Sequence, residues 1–172
     1  MPQGRQIFPK LSVADNLRVG LEATRPRIRR VPQEVYDLFP ILWDSRHRPG
    51  GNLSGGMQQR ASICRALIHE PRMLLLDEPF GALDAFTREE LWCVLRDLWQ
   101  AQRFNVILVT HDLREAVFLA DTVYVMSQRP GRILTRKEID LPRPRDLDLT
   151  YTEPFADLVH SLREKIGHVR QH

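Results

Sequence analysis

Apolar residues recur along this chain at two spacings, one helical and one of short unbroken runs. Val13, Leu17 and Leu21 share one face of a predicted helix that Ser12 or Asp15 can cap. The Arg/Pro-rich stretch from Thr24 to Pro32 interrupts regular structure. Val35, Leu38 and Phe39 then mark a helix over Gln33–Phe39 that stops before Pro40. Pro49-Gly50-Gly51 puts a loop over residues 47–52, and a further helix begins just after Ser54-Gly55-Gly56 and runs to about His69. Leu91, Val94, Leu95, Leu98 and Trp99 follow the amphipathic pattern within Thr87–Gln102, where Thr87 and Glu90 are spaced as a capping box.

The unbroken runs predict strands. Met73–Leu76 and Asn105–Thr110 are apolar enough for strands covered on both faces. Thr122–Ser127 is a third strand, and Arg132–Ile139 alternates as an edge strand does. A helix from about Leu113 to Ala120 lies between, so strands and helices alternate, which predicts an α/β fold with a parallel sheet and right-handed crossovers. The Pro/Arg/Asp-rich stretch after Leu141, to Thr152, predicts a linker, and Phe155, Leu158, Val159, Leu162 and Ile166 mark a terminal helix. No internal repeat is present.

Composition narrows the picture only a little. The 172 residues suffice for one sizeable core, and 42% hydrophobic with 27% charged residues is ordinary for a globular protein. A net charge of +3 from 25 basic and 22 acidic residues gives no argument for a nucleic-acid partner. The cluster Arg25, Arg27, Arg29, Arg30, Arg46 and Arg48 is expected to be a solvated connecting face. Cys64 and Cys93 have no C-x-x-C spacing and sit in helical apolar patterns, which predicts buried free thiols in a reducing compartment. No apolar stretch approaches the roughly 18 residues that span a bilayer, and no signal-peptide h-region is visible. The expectation is a cytosolic chain that meets a membrane only through a partner.

The candidate chemistry starts at Asp77-Glu78. An apolar run feeding two carboxylates places both at the carboxyl end of a strand, the edge where open α/β sheets bind ligands. Two such acids can divide labour, one holding Mg²⁺ and the other deprotonating an attacking water. They can equally do no more than cap a strand or the next helix. Ser54-Gly55-Gly56 can mark only a turn, yet glycines at a helix start leave backbone N–H groups and the positive dipole end open to an anion. His111, alone after a strand, is more often a structural residue than a catalytic one. The remaining five histidines show no metal-ligand spacing.

In their order, these segments resemble ATPase subunits of ABC transporters. Leu53-Ser54-Gly55-Gly56 with Met57-Gln58-Gln59-Arg60 resembles the signature helix; Met57 stands where the family usually has Gln. Met73–Glu78 resembles the Walker B strand, Pro79–Asp84 the D-loop, and Thr110-His111-Asp112 the switch segment. Gln3, counted back from Pro9–Val13, falls at the Q-loop position. The resemblance implies a P-loop NTPase-like parallel sheet with helices on both faces plus a helical subdomain, without the N-terminal strands and phosphate loop. It divides the chain into residues 1–56, Q-loop and helical subdomain; 57–141, half of the α/β core; and 142–172, linker and terminal helix.

The resemblance also implies roles. Asp77 and Gln3 attend Mg²⁺, Glu78 is the catalytic base, and His111 meets the γ-phosphate of ATP. Leu53, Ser54, Gly55, Gly56, Met57 and Gln58 face the nucleotide of a second ATPase subunit, and Asp84 lies at the subunit boundary. Transmembrane permease subunits, and indirectly a solute-binding protein, are the further partners, on the inner face of the cell membrane. Residues 2–51 resemble urea or branched-chain amino-acid importers, and the chain from Met57 resembles nitrate, sulfonate or taurine importers. No G-x-x-x-x-G-K-[ST] phosphate loop occurs in the 172 residues. The expectation is therefore of an N-terminally truncated ATPase with impaired activity. The alternatives are a non-catalytic module lending its signature to a complete partner, or a non-functional gene fragment.

Overall fold

The computed structural model describes residues 7–22 and 30–169. Gln3 and most of the Arg25–Arg30 cluster lie outside these residues. The chain divides into two compact units: Met1–Leu91 with Phe104–Ile107, and Trp92–Arg103 with Leu108–His172.

The first unit holds α1 (Val13–Leu21), α2 (Gln33–Asp37), α3 (Pro40–Asp44), α4 (Gly55–Leu67) and β1 (Met73–Asp77), with the start of α5 (Ala85–Gln102). The Ser12 side chain accepts from the Asp15 N–H and caps α1, whose Val13, Leu17 and Leu21 are buried as the spacing predicts. α1 and α3 pack on α4, which contributes Ala61, Cys64 and Leu67 to this core. Burial pushes the Cys64 thiol up to about 12, so it stays protonated; Cys93, likewise in no disulfide, is only half-buried. Pro40 does not end helical structure: it takes the first position of α3, where its missing N–H costs nothing. The helix behind Ser54 begins at Gly55 itself.

β1 pairs with β2 (Asn105–Val109), the Asn105 N–H donating to the Arg72 carbonyl. Neither strand is covered on both faces among the described residues. Leu74 and Leu76 are buried, whereas Met73 and Leu75 are 52% and 55% exposed. Ile107 and Val109 are exposed as well. An unbroken apolar run tells that a strand is apolar, not which elements cover its faces.

The second unit contains the remainder of α5, α6 (Leu113–Leu119), β3 (Thr122–Met126), β4 (Ile133–Glu138) and α7 (Glu153–Val169). Trp92 stacks on Phe118 with centroids 5.5 Å apart, and Phe155 and Leu162 of α7 are buried. β4 pairs antiparallel with β3, from Thr122↔Glu138 to Met126↔Ile133. The segment expected to be a linker is a built strap. It carries a 3₁₀ turn at Leu147–Tyr151, and Arg145 is 1% exposed. Its polar composition conceals this, because a guanidinium is buried here by bonding to backbone carbonyls rather than by apolar packing.

Candidate functional site

β1 delivers Asp77 and Glu78, both exposed, to its carboxyl end. Glu78 has φ 45°, in the left-handed region that L-residues other than Asn and Asp seldom adopt. The turn beyond it is pinned by the buried rings and chains of Phe80 and Leu83, with Gly81 N–H donating to the Glu78 carbonyl at 3.3 Å. A positive φ at a non-glycine residue costs about 1–2 kcal/mol, so the backbone here serves something other than its own comfort.

The turn ends in α5, and its cap is Asp84 rather than Thr87. The Asp84 carboxylate accepts from the Thr87 N–H at 3.0 Å, and this bonding holds its carboxyl below the usual 3.8. Thr87 stands inside the helix and Glu90 pairs with Arg60 at 2.6 Å, so the predicted capping box is not formed.

The signature turn is built tightly. Ser54 is exposed, and its hydroxyl accepts from the Met57 N–H at 3.3 Å as the cap of α4. Gly55 and Gly56 form the first turn behind it. A Cβ on Gly56 would stand 2.6 Å from Thr87 Cγ2, so only glycine lets α4 approach the first turn of α5 this closely. Leu53, Met57 and Gln58 are all buried. Gln58 donates its amide to the Gly50 and Leu53 carbonyls, each at 3.1 Å, and thereby holds the loop before Ser54.

A second buried amide continues this neck. Asn16 has no solvent exposure; its Oδ1 accepts from Phe8 N–H, and its Nδ2 donates to the carbonyls of Phe8, Leu11 and Ser12. Gly50 and Gly51 donate in turn to Leu11 and Pro9. Residues 8–12 and 49–53 are thus one hydrogen-bonded body at the foot of the signature helix. Sequence reasoning missed both roles, since an asparagine or glutamine inside a helix pattern carries no mark of which way it faces.

In the second unit, His111 is exposed between β2 and α6. Thr110 Oγ1 accepts from Asp112 N–H, and the Asp112 carboxylate accepts from the Arg114 and Glu115 N–H groups as the cap of α6. The structure thus brings the signature turn together with the Asp84-capped helix, and sets Asp77 and Glu78 on one strand end. Among the described residues no group of three or more His, Cys, Asp or Glu side chains is arranged to hold a metal. One or two carboxylates with waters and phosphate oxygens suffice for Mg²⁺, so Asp77 fits that ion.

The fold is thus α/β, with paired carboxylates ending β1 and a serine-capped glycine turn starting α4 in the first unit, and a histidine before the capped helix α6 in the second. A family model described as ABC transporter matches residues 1–81. The aliphatic sulfonates import ATP-binding protein of Bacillus licheniformis is 43% identical over 143 residues, covering 83% of this chain and 56% of that protein. The nitrate import ATP-binding protein of Synechococcus elongatus is 40% identical, covering 91% of this chain and 59% of its own length. A dimeric ATP-binding cassette, MJ0796, solved in a post-hydrolysis state with ADP and Pi, superposes with TM-score 0.65 at 26% identity, over 80% of this chain and 61% of its own. The chain belongs to the ABC transporter ATPase family. It spans little more than half the length of the curated relatives it matches.

Proposed function

We propose that this chain is the signature- and Walker B-bearing part of the ATP-binding subunit of an ABC importer, of the sulfonate or nitrate type. The observation that carries the reading is the pair Asp77 and Glu78 at the end of β1, the second held at a positive φ that no helix end requires. Asp77 holds Mg²⁺ together with waters and phosphate oxygens, and Glu78 takes the proton of the attacking water. His111 donates to the γ-phosphate. When bound, ATP supplies the hydrolysable anhydride. Ser54, Gly55 and Gly56 face the nucleotide of a second ATPase subunit, while Leu53, Met57 and Gln58 hold that turn from within. Asp84 lies at the boundary between the two subunits. Permease subunits, served by a solute-binding protein, anchor the assembly to the inner face of the membrane; no described helix is long and apolar enough to cross it. Gln3, outside the described residues, completes the Mg²⁺ surroundings.

Residues 1–172 contain no G-x-x-x-x-G-K-[ST]. A second reading rests on the exposed, serine-capped glycine turn of α4 alone: the chain lends only that turn to a complete cassette. Both readings require ATP-dependent association with such a cassette, lost on Ser54→Arg; failure of that association sinks both. ATP turnover by the purified chain is expected at background. Turnover that Glu78→Gln abolishes would reject the second reading in favour of a self-sufficient site.

A further inference from the structure

α6 is seven residues long, far below the length at which a helix holds itself together in water. Its position is therefore set by the packing of its buried Val117 and Phe118 and by what grips its ends. At its carboxyl end the last four carbonyls, Val117 to Ala120, are the ones a helix leaves without internal donors. Here the strap supplies donors to all of them. Arg145 Nη1 donates to Val117, Phe118 and Ala120, at 2.9, 3.1 and 2.7 Å, and Arg143 Nη2 donates to Leu119 at 2.8 Å. Positive charge at this end also meets the negative pole of the helix dipole.

The strap is itself fixed. Arg145 Nη2 reaches back to the Ile139 and Leu141 carbonyls, and Arg96 of α5 takes the Arg145 carbonyl at 2.7 Å and the Asp146 carboxylate at 3.0 Å. Arg143 pairs with Asp121 and lies 4.4 Å from the Trp99 ring centre. At the other end of α6, Arg114 donates to Thr150 Oγ1 at 3.2 Å. One segment thus holds both ends of the helix whose cap residue, Asp112, immediately follows His111. Desolvation, with Arg143 beside it, pulls the Arg145 guanidinium down to about 10, which leaves it charged at neutral pH.

We propose that Arg143 and Arg145 are positioning residues for His111, acting through α6 as a clamped lever. The strap sets where the switch histidine stands, although neither arginine belongs to the segment that carries it. The part of this proposal that concerns γ-phosphate chemistry rests on the ATPase reading; the clamp does not.

The test compares Arg145→Met, Arg145→Lys and Arg143→Gln in the full chain by amide hydrogen exchange. In Arg145→Met the amides of residues 111–116 are expected to exchange about tenfold faster or more, with those of α1 and α4 unchanged. Arg145→Lys, keeping charge without the fork, falls between. Acceleration confined to residues 139–152, or spread evenly over the chain, overturns the proposal. Should Arg145→Met not fold, Arg143→Gln, which removes the Leu119 donor, the Asp121 pair and the Trp99 ring contact but leaves Arg145 in place, gives the same comparison at smaller amplitude. In ATP turnover assayed with a complete partner cassette, Arg143→Gln lowers kcat by about tenfold and leaves KM for ATP unchanged. Faster exchange with an unchanged kcat overturns the link to His111. No turnover in the unsubstituted assembly counts against the ATPase reading instead, and the exchange result stands alone.

Discussion

The neck beneath the signature helix and the strap around α6 meet the same difficulty by different chemistry. Each is irregular chain whose backbone groups need partners, and each is tied by a buried side chain. In the neck the ties are neutral amides: Asn16 and Gln58 together make six hydrogen bonds to backbone, and neither has an orphaned polar atom. In the strap the tie is a buried guanidinium with five carbonyl partners, and its Nε has none among the described residues. An amide can both donate and accept, so it joins loop to loop. A guanidinium only donates, so it suits a place where carbonyls converge, and a helix end is such a place. The difference teaches that burying charge is tolerable where a helix dipole and a cluster of acceptors already favour it.

The largest break in this comparison should come from Arg145→Met, which keeps apolar volume but strands carbonyls of α6, Ile139 and Leu141. We expect a loss of about 3 kcal/mol or more in denaturant unfolding of the second unit. Asn16→Ala should follow at about 2–3 kcal/mol, since it strands the Phe8 N–H and takes one of two donors from each of three neck carbonyls. A larger loss for Asn16→Ala than for Arg145→Met would reverse the ranking and show the strap to be the weaker tie. Acid gives the smallest effect and separates the two regions. Hydrogen bonds from Ser12 and then Arg18 hold the Asp15 carboxyl below 3.8, so the stability it lends to α1 is present above that value. It is lost as pH falls through the depressed native value, whereas Arg145 stays charged throughout. Asp15→Asn should flatten a small decline in melting temperature below about pH 4; an unaltered decline removes Asp15 from the account.

What could be foreseen from residues alone follows the same division. Helices α1, α5 and α7 announce themselves because their apolar residues repeat at helical spacing, α4 by the glycines that start it, and Ser54, Asp77, Glu78 and His111 stand out by motif order. The faces of β1 and β2 were not foreseeable, since cover comes from elements distant in the chain. Pro40 broke the pattern where the structure restarts a helix, the same residue type serving either purpose. Asp84 preceded the apolar run by too much to be seen as its cap. Above all, Arg143 and Arg145 lay in a stretch whose composition signals exposure. Three-dimensional convergence of carbonyls has no signature in sequence.

Among the described residues three non-glycine residues hold a positive φ, and two of them, Glu70 and Arg103, occur just beyond helices α4 and α5, where left-handed caps are routine. Glu78 follows a strand instead. A protein optimised for persistence alone would hold glycine at 78, and would lose the carboxylate. Position 78 is therefore a point where durability and chemistry make opposite demands, and the chain has sided with chemistry.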